Sequence, residues 1–207
     1  MTDPQPTAQQ FWETHYQKGA RPWTGRPNAV LRQFAESLSA GTALDLGCSE
    51  GNTAVWLARR GWQVTGVDVS ATAVERATAH AADAGVSDLT TFERRDLNQS
   101  FPEGRFGLVY ALYLESPVAL QRGQILRAAA AAVFPGGLLV VVQHGSAAPW
   151  SWNQDAKFPE PEAVLESIGL DLSEWHINFL GSPERELTGP GNMTATVKDI
   201  VLALRKK

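Results

Sequence analysis

The sequence predicts an α/β fold built on a mostly parallel sheet, and three observations predict it. Short β-branched or apolar runs alternate with helical patterns through five successive steps. The run Leu138 to Gln143 is almost continuously apolar, as a strand covered on both faces must be. A glycine-bracketed turn, Gly47 to Gly51, leads the first strand straight into a helix.

The elements follow in order. Asn28 to Leu38 sets Val30, Leu31, Phe34, Ala35 and Leu38 at helical spacing, with Gly41 as a stop. Thr42 to Leu46 is the first strand, Asn52 to Arg60 a helix, and Gln63 to Val69 a strand rich in β-branched residues. Ser70 caps an alanine-rich helix that runs to about Ala84, and Gly85 ends it. Leu89 to Glu93 and Phe106 to Leu112 are strands, and Gln121 to Val133 is a helix before the apolar strand. Glu160 to Ile168 is a short helix stopped by Gly169. Leu170 to Phe179 and Thr194 to Leu204 are two last strands, joined by the Gly- and Pro-rich stretch Gly181 to Gly191, and they close the sheet as an antiparallel pair.

With 207 residues, 43% of them hydrophobic and 19% charged, the chain fills one core and is short for two. A net charge of -4 argues against nucleic acid or an anionic membrane as partner. The start, MTDPQPTAQQ, has neither the basic nor the apolar region of a signal peptide, and no run suits a membrane span. Cys48 is the single cysteine, which fits a reducing compartment, so the cytoplasm is expected. His15, His80 and His176 show no ligand spacing, and no metal is expected.

The chemistry concentrates in L-D-L-G-C-S-E-G-N, where Asp45 precedes a turn held between Gly47 and Gly51. Such a turn lies in the crevice at the carboxyl end of the sheet, with free N–H groups of the next helix beside it. Asp68 ends the second strand 23 residues later and suits a ribose diol, while Asp96, after the third, suits an adenine edge. Three carboxylates and one turn describe a pocket for an adenosine with a small zwitterionic tail.

This segment, with G-V-D-V-S, the R-D-L at Asp96 and F-P-G-G-L-L, resembles the class I S-adenosylmethionine-dependent methyltransferases over residues 43 to 206. The resemblance implies a Rossmann-like fold of seven strands in the order 3-2-1-4-5-7-6, helices on both faces, and S-adenosylmethionine as cofactor. It implies one domain over residues 1–207, with 1–40 a lid and helix segment and 41–207 the core. It also implies that Gly47 lines the methionine portion, Asp68 holds the ribose hydroxyls, and Asp96 with Leu97 flanks the adenine. The candidate cofactor contacts are Trp23, Asp45, Gly47, Cys48, Ser49, Gly51, Asn52, Asp68, Val69, Asp96 and Leu97. One departure stands out: Ser49 occupies the motif's middle glycine position. A catalytically degenerate cofactor binder is the reading that this departure favours.

Two rival readings use the same loop. G-C-S-E-G matches a nucleophile elbow with Ser49 as nucleophile, but the upstream strands and oxyanion loop of a hydrolase are missing, and Asp45, Asp68 and Asp96 lose their purpose. A nicotinamide fingerprint would need glycine or alanine at positions where Ser49 and Asn52 stand.

F-W-E-T-H-Y-Q-K-G-A-R-P-W-T-G-R-P-N resembles the leading segment of small bacterial methyltransferases of the tellurite-resistance and thiopurine type, which implies a lid over the cofactor mouth carrying Trp12, Tyr16 and Trp23. Tyr113 and Glu115, in the loop after the fourth strand, and His144, ending the fifth, are candidates for acceptor contact or base. Trp150 and Trp152 are candidates for the acceptor wall. A small-molecule acceptor is expected, taken by direct in-line displacement, by a monomer or homodimer.

Overall fold

A computed structural model describes residues 5–19, 23–151 and 153–207. Eight strands form: β1 Thr42–Leu46, β2 Gln63–Asp68, β3 Thr90–Arg94, β4 Phe106–Leu112, β5 Val133–His144, β6 Trp175–Gly181, β7 Glu184–Thr188 and β8 Thr194–Lys206. The helices are α1 Ala8–Gln17, α2 Ala29–Ala35, α3 Asn52–Ala58, α4 Ala71–Asp83, α5 Arg122–Ala132 and α6 Pro161–Ile168. None is long and apolar enough to cross a membrane.

The strand order is β3-β2-β1-β4-β5-β8-β6, which is the expected seven-strand order, with β7 added as a partner of β8. Strands β1 to β5 pair in parallel, while β8 runs antiparallel to β5, β6 and β7. Alternation along the strands divides the core. Leu44, Leu46, Val109, Val141 and Leu202 pack toward α5 and α6, whereas Ala43, Val64, Leu108, Val140 and Val201 pack toward α2, α3 and α4. Each buried leucine or valine contributes roughly 1.5–3 kcal/mol.

Local chemistry explains the helix ends. Asn28 accepts from the amides of Val30 and Leu31, and Ser70 from that of Ala73, at the starts of α2 and α4. Gly169 ends α6 in the left-handed conformation.

Three expectations change. The polar lead contains helix α1, opened by a reciprocal capping box between Thr7 and Gln10. No residue of α1 is buried, so it lacks the apolar stripe that reveals a core helix. The connection 181–191 contains β7, whose alternating Glu-Arg-Glu-Leu-Thr run sits between Pro183 and Gly189. The strand expected from Leu170 begins at Trp175, because Asp171 caps a short 3-10 turn at Leu172–Glu174.

Candidate active site

Strand order reverses direction between β1 and β4, so their carboxyl ends splay apart and leave a crevice. A partly enclosed cavity occupies it, at the place where open α/β sheets bind ligands. Its floor is Gly47, Val67, Asp68 and Val69, one side is Arg95, Asp96 and Leu97, and the other is Tyr113 to Ser116. Trp12 and Tyr16 of α1 form the cover.

The Gly47 loop is shaped for close approach. Gly47 has φ of +75°, and a Cβ there would meet Leu114 Cδ1 at 3.0 Å. The next amides do not point freely into the crevice: Gly47 and Cys48 both donate to the Val67 carbonyl at 2.9 Å. Asp68 accepts from the amides of Ser49 and Ser70, each at 3.0 Å. Burial raises the Asp68 carboxyl above its ordinary value, and the amides of Ser70, Ser49 and Val69 partly offset that. Asp96 forms a turn of its own, accepting from Asn98 N at 2.9 Å and Gln99 Nε2 at 3.1 Å.

Helix α1 is tied down on both sides of the cavity. Glu13 accepts from Thr72 Oγ1 at 2.6 Å and Ser70 Oγ at 2.8 Å, at the start of α4. These bonds, Thr72 first, lower the Glu13 carboxyl to about 2. Trp12 Nε1 donates to Ser116 Oγ at 3.1 Å, tying the helix to the loop after β4. Burial, then the charge of Asp68, pushes the Tyr16 phenol above its ordinary range, with the Ser49 hydroxyl acting in the opposite sense. Ser49, held at φ of +52°, thus stands beside the lid tyrosine.

A second, wider cleft opens through the same wall. Trp12, Glu115 and Ser116 line both spaces. Phe11, His15, His144, Trp150, Phe158 and Arg185 are among the other residues of the cleft. His144 Nδ1 lies 2.6 Å from Glu115 Oε2, which also accepts from the His144 amide at 3.2 Å. Burial alone would raise the Glu115 carboxyl, but the His144 hydrogen bonds outweigh it and lower the value. An ionised carboxylate only accepts, so Nδ1 carries the hydrogen and Nε2 of the neutral ring is left as a proton acceptor. Tyr113, at φ of +55°, stacks obliquely on His144 with ring centroids 4.6 Å apart. Its hydroxyl donates to Asp199 Oδ2 at 2.8 Å, and burial followed by that carboxylate pushes the phenol up to about 12.

The structure divides the sequence candidates. Gly47, Asp68, Val69, Asp96, Leu97, Tyr113, Glu115, Trp12 and Tyr16 line the first cavity, and His144 and Trp150 line the cleft. Six others are not among the residues that line either space. Asp45 is buried within the sheet, and burial pushes its carboxyl up to about 7. Cys48 is buried. Ser49 orients Asp68 through its amide, and Gly51 takes the left-handed conformation that begins α3. Asn52 Oδ1 accepts from the Gly25 amide at 2.9 Å, strapping the leading segment to α3. Trp23, expected in the leading segment's cover, stacks on His80 with ring centroids 4.5 Å apart and is not among the residues that line the cavity. Trp152 lies outside the described residues. Sequence reasoning missed Ala8, Arg95, Leu114, Ser116 and Leu120 in the cavity, and Phe11, Phe158 and Arg185 in the cleft. The T-A-Q-Q capping signature at Thr7 could have revealed the helix that carries Ala8 and Phe11.

The fold is Rossmann-like, with a cavity at the crevice between β1 and β4 and an open cleft beside it. Residues 43–137 match the family model described as methyltransferase domain. The chain is 31% identical over 188 residues to the 2-heptyl-1-hydroxyquinolin-4(1H)-one methyltransferase of Mycobacteroides abscessus, covering 86% of this chain and 79% of that one. A structure described under the conversion of a disulfide bond into a thioacetal group during echinomycin biosynthesis superposes with a TM-score of 0.72 at 20% identity, covering 97% of this chain and 92% of the other. A methyltransferase of Geobacter sulfurreducens in complex with S-adenosyl-L-homocysteine superposes at 0.65 with 18% identity, covering 94% and 97%. The chain belongs to the class I S-adenosylmethionine-dependent methyltransferases, and S-adenosylmethionine is its cofactor by that membership.

Proposed function

We propose that the protein transfers the methyl group of S-adenosylmethionine to an oxygen of a small, ring-bearing acceptor by direct in-line displacement. One observation carries this reading: Trp12, Glu115 and Ser116 form a common wall between the cavity and the cleft, with His144 at the junction. The hydroxylated acceptor in the name of the Mycobacteroides abscessus relative supports an oxygen acceptor.

The residues present fit the cofactor. Gly47 leaves room that a Cβ would fill, while Asp68 and Asp96 offer carboxylate acceptors for the ribose hydroxyls and the adenine amine. Leu97 and Val69 give the adenine apolar flanks. When bound, the cofactor supplies a sulfonium methyl that is already electrophilic. The protein's tasks are therefore alignment, water exclusion and proton removal. Trp12 and Tyr16 cover the cavity, latched through Glu13 and Ser116. His144 Nε2 takes the acceptor's hydroxyl proton while Glu115 fixes the ring. The bound cofactor would supply the methyl to the oxygen so freed, with its sulfur as the neutral leaving group.

Residues 1–40 act as lid and helix segment on a core of 41–207 in this reading. It places a monomer or homodimer in the cytoplasm, acting on a small molecule and not on nucleic acid. Calorimetric titration with S-adenosylmethionine and S-adenosylhomocysteine, beside NAD and NADP, tests the foundation. Micromolar binding of the two sulfur nucleosides alone supports it, and binding of neither rejects it. Labelling of folded protein at Ser49 by a fluorophosphonate would instead favour hydrolase chemistry.

A further inference from the structure

The cleft has a second polar pole that methyl transfer itself does not require. Arg185 enters from β7, the strand added to the seven-strand plan. Its Nε donates to Asp199 Oδ2 at 2.7 Å, and the same oxygen accepts from the Tyr113 hydroxyl at 2.8 Å. The Asp199 side chain is 1% exposed, whereas that of Arg185 is 29% exposed and forms part of the cleft wall. One donor of the guanidinium is thus fixed on a buried carboxylate, while its two terminal amino groups make no hydrogen bond among the described residues.

The two poles share one ring. Tyr113 lies 4.6 Å from the His144 ring on one side, and the Arg185 guanidinium carbon lies 5.8 Å from the Tyr113 centroid on another. His144 and Arg185 therefore both pack against Tyr113, and both line the cleft. The same lining carries the aromatic or apolar Phe11, Trp12, Trp150, Phe158, Leu187 and Val197 beside polar residues such as Ser146, Ser151 and Asn153. Flat aromatic walls select a planar ring system, and two poles on one such wall select two polar substituents.

We infer that the cleft takes a planar aromatic acceptor with two oxygens on one conjugated ring system: a hydroxyl presented to His144, and a carbonyl or carboxylate oxygen held by Arg185. The inference rests on the reading of the cleft as the acceptor side. The second contact also has a chemical role. As the hydroxyl proton passes to His144 Nε2, negative charge develops on the acceptor, and the guanidinium at its second oxygen offsets that charge through space. Arg185 binds the acceptor and favours its ionised form, and the methyl goes to the oxygen at His144.

Matched ligands test this on the unaltered protein. Binding in the presence of S-adenosylhomocysteine is measured for 3-hydroxyquinolin-4(1H)-one against quinolin-3-ol, and for 3-hydroxy-2-naphthoate against 2-naphthol. The first pair isolates a carbonyl and the second a carboxylate. The expected result is tenfold or tighter binding of the two-oxygen member in at least one pair, with Arg185→Gln erasing the difference and Arg185→Lys retaining part of it. Arg185 also neutralises buried Asp199, so the Arg185→Lys comparison decides alone if Arg185→Gln does not fold. Equal affinity within both pairs, including no binding of any member, overturns the inference and leaves Arg185 as a structural partner of Asp199. A preference that survives in the folded variants overturns it too. Failure of the unaltered protein to bind S-adenosylhomocysteine breaks the underlying reading instead, and it is scored separately.

Discussion

The two halves of the active site are assembled in opposite ways. Apart from helix α1, the cavity proposed for the cofactor takes its walls from residues 47 to 120, at the ends of neighbouring strands and the loops that follow them. The cleft gathers residues 11 to 15, 115 to 117, 144 to 158 and 185 to 197, which meet only because β8 runs back beside β5 and carries β7 with it. A local pocket is written as a motif. A pocket assembled across the sheet has no contiguous signature, so its residues can change without disturbing the turn that holds the cofactor.

That contrast orders the experiments. The largest expected effect is on the cleft side: His144→Ala should lower turnover on a confirmed acceptor by about 100-fold or more, with cofactor affinity unchanged. Equal turnover would remove His144 from the chemistry. Next, Asp68→Ala should weaken S-adenosylhomocysteine binding by roughly tenfold or more, the loss of a charge-assisted contact of about 1.5–3 kcal/mol, as read by calorimetry. Unchanged affinity would mean that Asp68 serves only the amides of Ser49 and Ser70.

Smaller effects should appear where the halves join. Trp12→Phe keeps the ring and removes the donor to Ser116, a bond of about 0.5–1.5 kcal/mol, so cofactor and acceptor should both weaken by a few fold. An effect on one alone would deny the shared wall. The smallest concerns Glu13, whose carboxyl is lowered by Thr72 and Ser70. A lowered value stabilises the folded form above the ordinary carboxylate range, and that stability is lost as pH falls from about 4.5 toward 2. Glu13 is only partly buried, so screening holds the contribution to about 1 kcal/mol or less. Thermal melts of Glu13→Gln should differ from the parent near neutral pH and converge with it in acid; a constant difference would exclude the latch.

How much of this was legible follows from the same contrast. The βα alternation could be read because apolar period and capping residues such as Ser70 and Gly169 act locally, whereas the sheet order came from the family resemblance alone. Helix α1 escaped because it buries none of its residues and its aromatic side covers a cavity in place of a core. Strand β7 was hidden between Pro183 and Gly189, residues that bound the strand and read as loop. In the site, Gly47, Asp68, Val69, Asp96 and Leu97 reach the cavity. Cys48, Gly51 and Asn52 shape the turn and its attachments, which a motif does not distinguish from its wall. Trp23 was an aromatic in an aromatic-rich lead, but His80 on α4 offered it a stacking face. Nothing in the order of residues announces that Arg185 and His144 share Tyr113, since that contact depends on the β5–β8 register.

The central claim is that cofactor binding and proton removal reside on separate halves that meet at the Glu115–His144 pair. Titrating S-adenosylhomocysteine into the parent protein, Asp68→Ala and His144→Asn tests it most directly, because no acceptor need be known. The account predicts micromolar binding by the parent, a loss of about tenfold or more in Asp68→Ala, and parental affinity in His144→Asn. Parental affinity in Asp68→Ala together with a loss in His144→Asn would contradict it.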